Sequence, residues 1–312
     1  MDLKSATTST RARTLRIGTR GSVLAVRQTN LVAEWLQSRH PDLHCEVAII
    51  STQGDRDKET PLSIIGGQGV FIKELEHSII AGDVDCAVHS LKDLPSIVPG
   101  GLMLAAILDR HDPRDVLISR HSGGLAGLPQ GARIGTSSRR RMAQLKEFRP
   151  DLEPVELRGN VDTRILKVVD GDGSEYDAAI LAAAGVLRME REHQVAEFLD
   201  IGLFTPAPGQ AALAVECRED DLATRALLAT IHDDETALLV NVERAFLRGV
   251  GGGCRSPVAA YAERLDGGIR LRAMLADEQI TTIQRIDETF ELDTAEEQAE
   301  AIAHQLVESV VR

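Results

Sequence analysis

The chain has 312 residues, 43% of them apolar and 3% aromatic, a length that holds two or three domains with real cores and leaves disorder to the ends. Its formal charge of -13 argues against a general nucleic-acid or anionic-membrane binder. Four cysteines without any C-x-x-C pairing, an opening without the apolar core of a signal peptide, and no membrane-length run argue against a disulfide scaffold, an obvious zinc site and a membrane span.

From Leu15 strand-like and helix-like stretches alternate. LRIGT reads as a strand, and SVLAVRQTNLVAEWLQSRH as a helix capped by Ser22 and stopped before Pro41. HCEVAII is a second strand, VFIKELEHSIIAG a helix and DCAVHS a short buried strand. This βαβ rhythm predicts a mostly parallel sheet. After DRHDPRD a second run begins, with strand DVLISR, a Gly-rich loop at 122–131, strand ARIGTSS and helix RRRMAQLKEFR ended by Pro150. PVELRGN, a helix from Val161 and YDAAILAAAGV follow. LFTPAPGQAALAVECRED reads as a return crossing that ends in a strand of the first domain. Beyond Asp233 come helix ETALLVNVERAFLRG, strands near 258–264, 269–276 and 281–290, and a C-terminal helix. The expected fold is α/β: a discontinuous first domain (12–108 with 206–226), a second (113–202), and a smaller α+β C-terminal domain (232–312).

Four polar loops fall at the carboxyl ends of predicted strands, where α/β proteins bind ligands. They are GTRGS with Arg20 and Ser22, HSLKDLP with Ser90, Lys92 and Asp93, GTSSRRR with Thr136, Ser138, Arg140 and Arg141, and LRGNVDTR with Arg158 and Arg164. Only six basic residues are lysine, and arginine is the side chain that grips carboxylate or phosphate with a planar fork. Arginines at a helix start face the positive end of the dipole, a mildly unfavourable placement unless an anion shares the site. One such residue is a solvated turn; Arg140, Arg141, Arg158 and Arg164 together indicate an anion site. Asp93 is either a salt-bridged loop carboxylate or one held in a cleft to stabilise positive charge or move a proton. His89 reads as a packed or hydrogen-bonded histidine.

VGGGCRSPV differs from the other cysteine contexts. Cys45, Cys86 and Cys217 lie in strand patterns as small hydrophobes, reduced as in a cytosol. Three glycines before Cys254 let the backbone approach something bulky and present a thiol as a nucleophile.

Taken in order, IGTRGS, STQGD, FIKELE, DCAVHSLKDLP, DPRD, IGTSSRRR, LRGNVDTR, YDAAILAAAG and GGGCRSP resemble the porphobilinogen deaminase (hydroxymethylbilane synthase) family across residues 15–262. The resemblance implies two hinged, periplasmic-binding-protein-like domains and a third domain whose cysteine, Cys254, holds a dipyrromethane cofactor through a thioether. It implies an enzyme, expected to be a monomer, that links four porphobilinogens head to tail with loss of ammonia. In that reading Asp93 is catalytic. Ser90, Lys92, Thr136, Ser138, Arg140, Arg141, Arg158 and Arg164 hold the cofactor and nearby rings, while Arg20, Ser22 and Arg188 lean towards incoming substrate. No metal, nucleic acid or membrane is implied. The chain departs from the family pattern at Val23 (usually proline), Gln68 (lysine), Arg139 (apolar), Asp162 (glycine) and Ala211 (glycine). Two other readings stand beside this one. A non-catalytic anion sensor on the same scaffold needs neither the Asp93 loop nor a glycine-framed thiol, and a metalloenzyme has no ligand spacing to support it.

Overall fold

The computed structural model describes residues 13–52, 72–170, 175–251 and 257–310. Gln68 and Cys254 lie outside the described residues. β1 (Arg13–Thr19) feeds α1 (Val23–Arg39), whose first turn is capped by the Ser22 hydroxyl, which accepts from Ala25 N at 3.2 Å. β2 (Leu43–Ile49), α2 (Lys73–Ala81), β3 (Cys86–Ser90) and β4 (Leu102–Ile107) follow. The chain then crosses to β5 (Asp115–Ser119), β6 (Arg133–Gly135), α3 (Arg139–Phe148), β7 (Glu153–Val155), α4 (Val161–Val169), β8 (Ala178–Ala182), α5 (Ala183–Arg188) and β9 (Val195–Phe198). It crosses back to β10 (Leu213–Arg218) and α6 (Leu222–Leu228). α7 (Asp234–Gly249), β11 (Val258–Leu265), β12 (Gly268–Ala276), β13 (Ile283–Phe290) and α8 (Ala295–Val310) complete it.

The first sheet runs β2-β1-β3-β10-β4 and the second β7-β6-β8-β5-β9. Each repeats one pattern, in which the fourth strand along is antiparallel to its neighbours and is the strand that arrives from the other sheet. The remaining strands are mutually parallel, as helical crossovers require. Strands covered on both faces become continuous apolar runs, as in AAILA of β8, rather than alternating ones.

One face of the first sheet buries Leu15, Ile17, Cys86, Val88, Val215 and Cys217 against Val32 and Leu36 of α1, with half-buried Cys45 packed at the edge. In the second sheet Val116, Ile118 and Leu181 pack on Ile165 and Val168 of α4, and Leu117, Ile134 and Ile180 pack on Leu145 of α3 and Phe204. The third sheet, β11-β12-β13, is an antiparallel meander covered by α7 and α8.

This third unit is fastened to both others. Ala237 and Val240 of α7 pack with Leu91, Leu94 and Ile107 of the first unit, and Arg244 donates to Pro95 O at 2.8 Å. Towards the second unit, Ala259, Met274 and Ala276 pack on Ala143. Arg285 pairs with Glu147 at 2.9 Å, lies 4.9 Å from the Phe148 ring and donates to Leu203 O at 2.9 Å.

The fully buried Glu243 ties the crossings to this unit. It takes two hydrogen bonds from Arg110 on the outgoing crossing, at 2.6 and 3.1 Å. It also accepts Gly209 N on the return crossing at 2.7 Å and Ala262 N of β11 at 2.9 Å.

Candidate active site

β3 delivers the HSLKDLP loop. Leu91 and Leu94 are buried as plugs, and a 3-10 turn over Leu91–Asp93 leaves Lys92 half-buried and Asp93 exposed between them. Leu91 N bonds Ala212 O at 3.0 Å, which seats the turn on the return crossing. Gly209, at φ +71°, sits so close that a Cβ there would lie 2.8 Å from Leu91 Cγ. The Ser90 hydroxyl and the buried Gln28 amide exchange hydrogen bonds at 3.2 and 3.3 Å. Lys92 Nζ donates to Gln210 Oε1 at 3.2 Å. Burial pulls the Lys92 pKa from 10.5 to about 8; Asp93 opposes this most strongly and Asp115 less so, while Arg141 and Arg140 add to it.

From the second sheet, Thr136 is buried with its hydroxyl on Ser138 N at 3.1 Å, and Ser138 caps α3 by accepting from Arg141 N at 3.4 Å. Arg140 and Arg141 are themselves buried and share the fully buried Asp115, each at 2.8 Å. Arg140 also donates to Thr205 O at 2.6 Å and Arg141 to Ile180 O at 2.9 Å. Burial alone would raise the Asp115 carboxyl, but the two guanidiniums outweigh it and hold it well below the usual carboxylate range. The anion that sequence reasoning placed at this helix start is thus partly supplied by the chain. Arg141 Nε remains buried without a hydrogen-bond partner among the described residues.

Asn160 caps α4 by accepting from Thr163 N at 3.1 Å, and Arg164 Nε donates to Gly159 O at 2.7 Å. Burial lowers Arg164 to about 10; Arg141 and Arg158 push it the same way and Asp93 opposes. Arg164 therefore senses charges from both sheets, so the loops of Asp93 and of Arg141, Arg158 and Arg164 face one another. Five cationic side chains stand against Asp93 and Asp115 in this cleft.

Ser22 spends its hydroxyl on the α1 cap and Arg20 is half-buried just before it. Arg188, at the end of α5, donates to Ala211 O at 2.7 Å, and burial lowers its pKa to about 10. Among the departures from the family pattern, Asp162 is paired with Arg191 at 3.3 Å, Arg139 is exposed, Val23 is exposed at the first helical position, and Ala211 holds φ +77°. Sequence reasoning missed Gln210, Asp115, Gln28 and Glu243. Each is a common polar residue whose role comes from partners about 25 to 130 positions away in the chain.

Among the described residues no His, Cys, Asp and Glu cluster could hold a metal, and no helix is long and apolar enough to cross a membrane. Comparison with known proteins identifies the family. A family model described as porphobilinogen deaminase, dipyromethane cofactor binding domain, matches residues 15–226, and one for the porphobilinogen deaminase C-terminal domain matches 237–308. The porphobilinogen deaminase of Syntrophus aciditrophicus is 49% identical over 261 residues, covering 84% of both chains. That of Syntrophotalea carbinolica is 45% identical over 297 residues, covering 95% of this chain and 92% of its own. That of Geobacillus kaustophilus is 46% identical over 265 residues, 85% of each. Among solved structures, the methionine binding protein MetQ covers 72% of this chain and is itself 92% covered, at 10% identity and a TM-score of 0.45. With family models over most of its length and relatives at this identity, the chain belongs to the porphobilinogen deaminase family.

Proposed function

We propose that the cleft between the two five-stranded sheets is where this chain carries out the family's reaction, with Asp93 as the catalytic carboxylate and Cys254 as the attachment point of the dipyrromethane cofactor. The reaction joins four porphobilinogens head to tail, releases ammonia at each step and yields the linear tetrapyrrole hydroxymethylbilane, in tetrapyrrole biosynthesis. When bound, the cofactor supplies the pyrrole position onto which the first monomer is added. Each pyrrole carries an acetate and a propionate, and the residues here suit such a group: five cations, two carboxylates, and an orphaned buried Nε on Arg141. In this reading Ser90, Lys92, Thr136, Ser138, Arg140, Arg141, Arg158 and Arg164 hold the cofactor and the rings next to it. Arg20, Ser22 and Arg188 receive the monomer.

Loss of ammonia from porphobilinogen leaves an electron-poor methylene pyrrolenine with positive charge at the ring nitrogen. Asp93 is exposed while the adjacent Lys92 is half-buried. Its carboxylate accepts the pyrrole N–H, stabilises that charge and takes part in moving the proton. The observation that carries the reading is that Asp93 acts electrostatically on both Lys92 and Arg164, groups of opposite walls. The division into units 12–108 with 206–226, 113–202 and 232–312 belongs to the same reading, supported by the three separate sheets. A cytosolic monomer is part of it too.

The test is the intact mass of the denatured protein beside Cys254→Ser, with turnover of Asp93→Asn. An excess of two linked pyrrole units, lost in Cys254→Ser, and a folded Asp93→Asn that hardly turns over are expected. A bare chain mass even after incubation with porphobilinogen, or normal turnover in Asp93→Asn, overturns the assignment.

A further inference from the structure

A cavity of about 940 Å³ opens between α1, the outgoing crossing and the end of α5. Leu31, Trp35 and Leu187 give it an apolar wall, Arg188 lies within it, and Glu34 and Asp109 are among its exposed acidic lining residues. Arg188 Nε is buried with no hydrogen-bond partner, and among the described residues no carboxylate pairs with this guanidinium. Its neighbour Arg27 differs, being paired with Glu190 at 3.1 Å. His111, also in the lining, is held below its ordinary value by burial and by Arg188, against the opposing pull of Asp112 and Asp109. The cavity adjoins the cleft through single residues. Gln28 lines it while its amide bonds Ser90, and Arg188 reaches Ala211 O beside Gln210, which holds Lys92.

We propose that this cavity is a loading site that holds one porphobilinogen before it is condensed in the cleft. The inference rests on the cleft being the place of condensation. Porphobilinogen is a pyrrole bearing two carboxylates and an aminomethyl ammonium. Arg188 matches a carboxylate, Leu31, Trp35 and Leu187 match the ring, and Glu34 and Asp109 match the ammonium that later leaves as ammonia. A hydrophobic acid would satisfy the first two features only; a zwitterionic aminomethylpyrrole satisfies all three.

The loading site is tested by steady-state kinetics of the cofactor-loaded enzyme. Trp35→Ala and Glu34→Gln are each expected to raise KM for porphobilinogen about fivefold with kcat within about twofold of the parent, and Trp35→Phe to keep KM near the parent value. Circular dichroism checks that each variant is folded. An unchanged KM in both folded variants overturns the proposal, as does a fall in kcat with KM unchanged. Trp35 is the sole tryptophan, so its emission reports on the cavity alone. In loaded Asp93→Asn it should change saturably with porphobilinogen, and a flat titration with slow turnover overturns the proposal. Normal turnover in Asp93→Asn would instead sink the catalytic role of Asp93, and the KM and kcat split would still decide the loading site.

Discussion

The Gln210 carboxamide accepts Lys92 Nζ at 3.2 Å. Its nitrogen donates to Asp115 Oδ1 at 3.0 Å and to Pro113 O at 2.8 Å, and the Gln210 backbone carbonyl accepts Arg110 Nε at 2.9 Å. One buried side chain on the return crossing thus joins the Lys92 turn of the first sheet to the Asp115 and arginine cluster of the second. An acceptor end towards lysine and a donor end towards carboxylate fix its orientation, so the site is pre-set across two units before any ligand arrives.

Lys92 keeps its proton with a pKa near 8 in the fold against 10.5 ordinarily. Between those values the unfolded chain binds more protons, so this lysine costs stability at neutral pH and the cost disappears as pH rises through that window. Lys92→Met should therefore unfold at a higher urea concentration than the parent at pH 7. The advantage should shrink by pH 10, and activity should be largely lost. Urea midpoints of cofactor-free protein at pH 7, 8.5 and 10 check the sign.

Asp115 works in the opposite sense. Its depressed pKa contributes stability that is present above the ordinary carboxylate range, about 3.9, and is lost as pH falls through and below it. Asp115→Asn leaves two buried guanidiniums facing a neutral amide, at a cost of about 3 to 5 kcal/mol. Urea denaturation should show that gap constant from pH 8 to 5 and narrowing below about pH 4.

Ala211 occupies a left-handed backbone conformation at φ +77° where the family usually has glycine. A side chain in that region costs about 1 to 2 kcal/mol, partly offset by the lower entropy of an alanine in the unfolded chain. Ala211→Gly should raise stability by roughly 0.5 to 1 kcal/mol in urea unfolding while keeping the Arg188 contact, which is made to the backbone carbonyl. Ala211→Val should be strongly destabilising, since a β-branched residue tolerates positive φ poorly.

Glu243→Gln removes the charge that pairs with Arg110 and turns an N–H donor towards a backbone N–H. The expected cost is about 3 kcal/mol. Hydrogen exchange gives a local readout: the amides of Gly209 and Ala262, which bond the two carboxylate oxygens, should lose protection first.

The α/β rhythm was legible because apolar runs and caps are local signals. Ser22 before α1, Pro41 and Pro150 after their helices and the β11 to β13 meander lie close to where the residues alone put them. β4 and β9 went unread: both are edge strands, and VAEF in β9 carries no period strong enough to stand out. The polar loops were found because lysine, aspartate and arginine cluster there in sequence. Which arginines are committed to Asp115 was not legible, because Asp115 lies 25 residues before Arg140 and meets it only through the β5 to β8 pairing that closes the second sheet. The partner of Asp162 was not legible either: its charge is taken up by Arg191, 29 residues further along the chain.

The three thiols that share the first sheet's core give this enzyme a gauge of its own maturation. Burial pushes Cys45 up, Cys86 well up and Cys217 to about 11, so near neutral pH none offers a thiolate to an alkylating reagent. If Cys254 carries the cofactor, the native loaded protein has no reactive sulfur and the newly folded, unprimed chain has one. A single colorimetric titration under native conditions then reads the fraction of a preparation that has been primed.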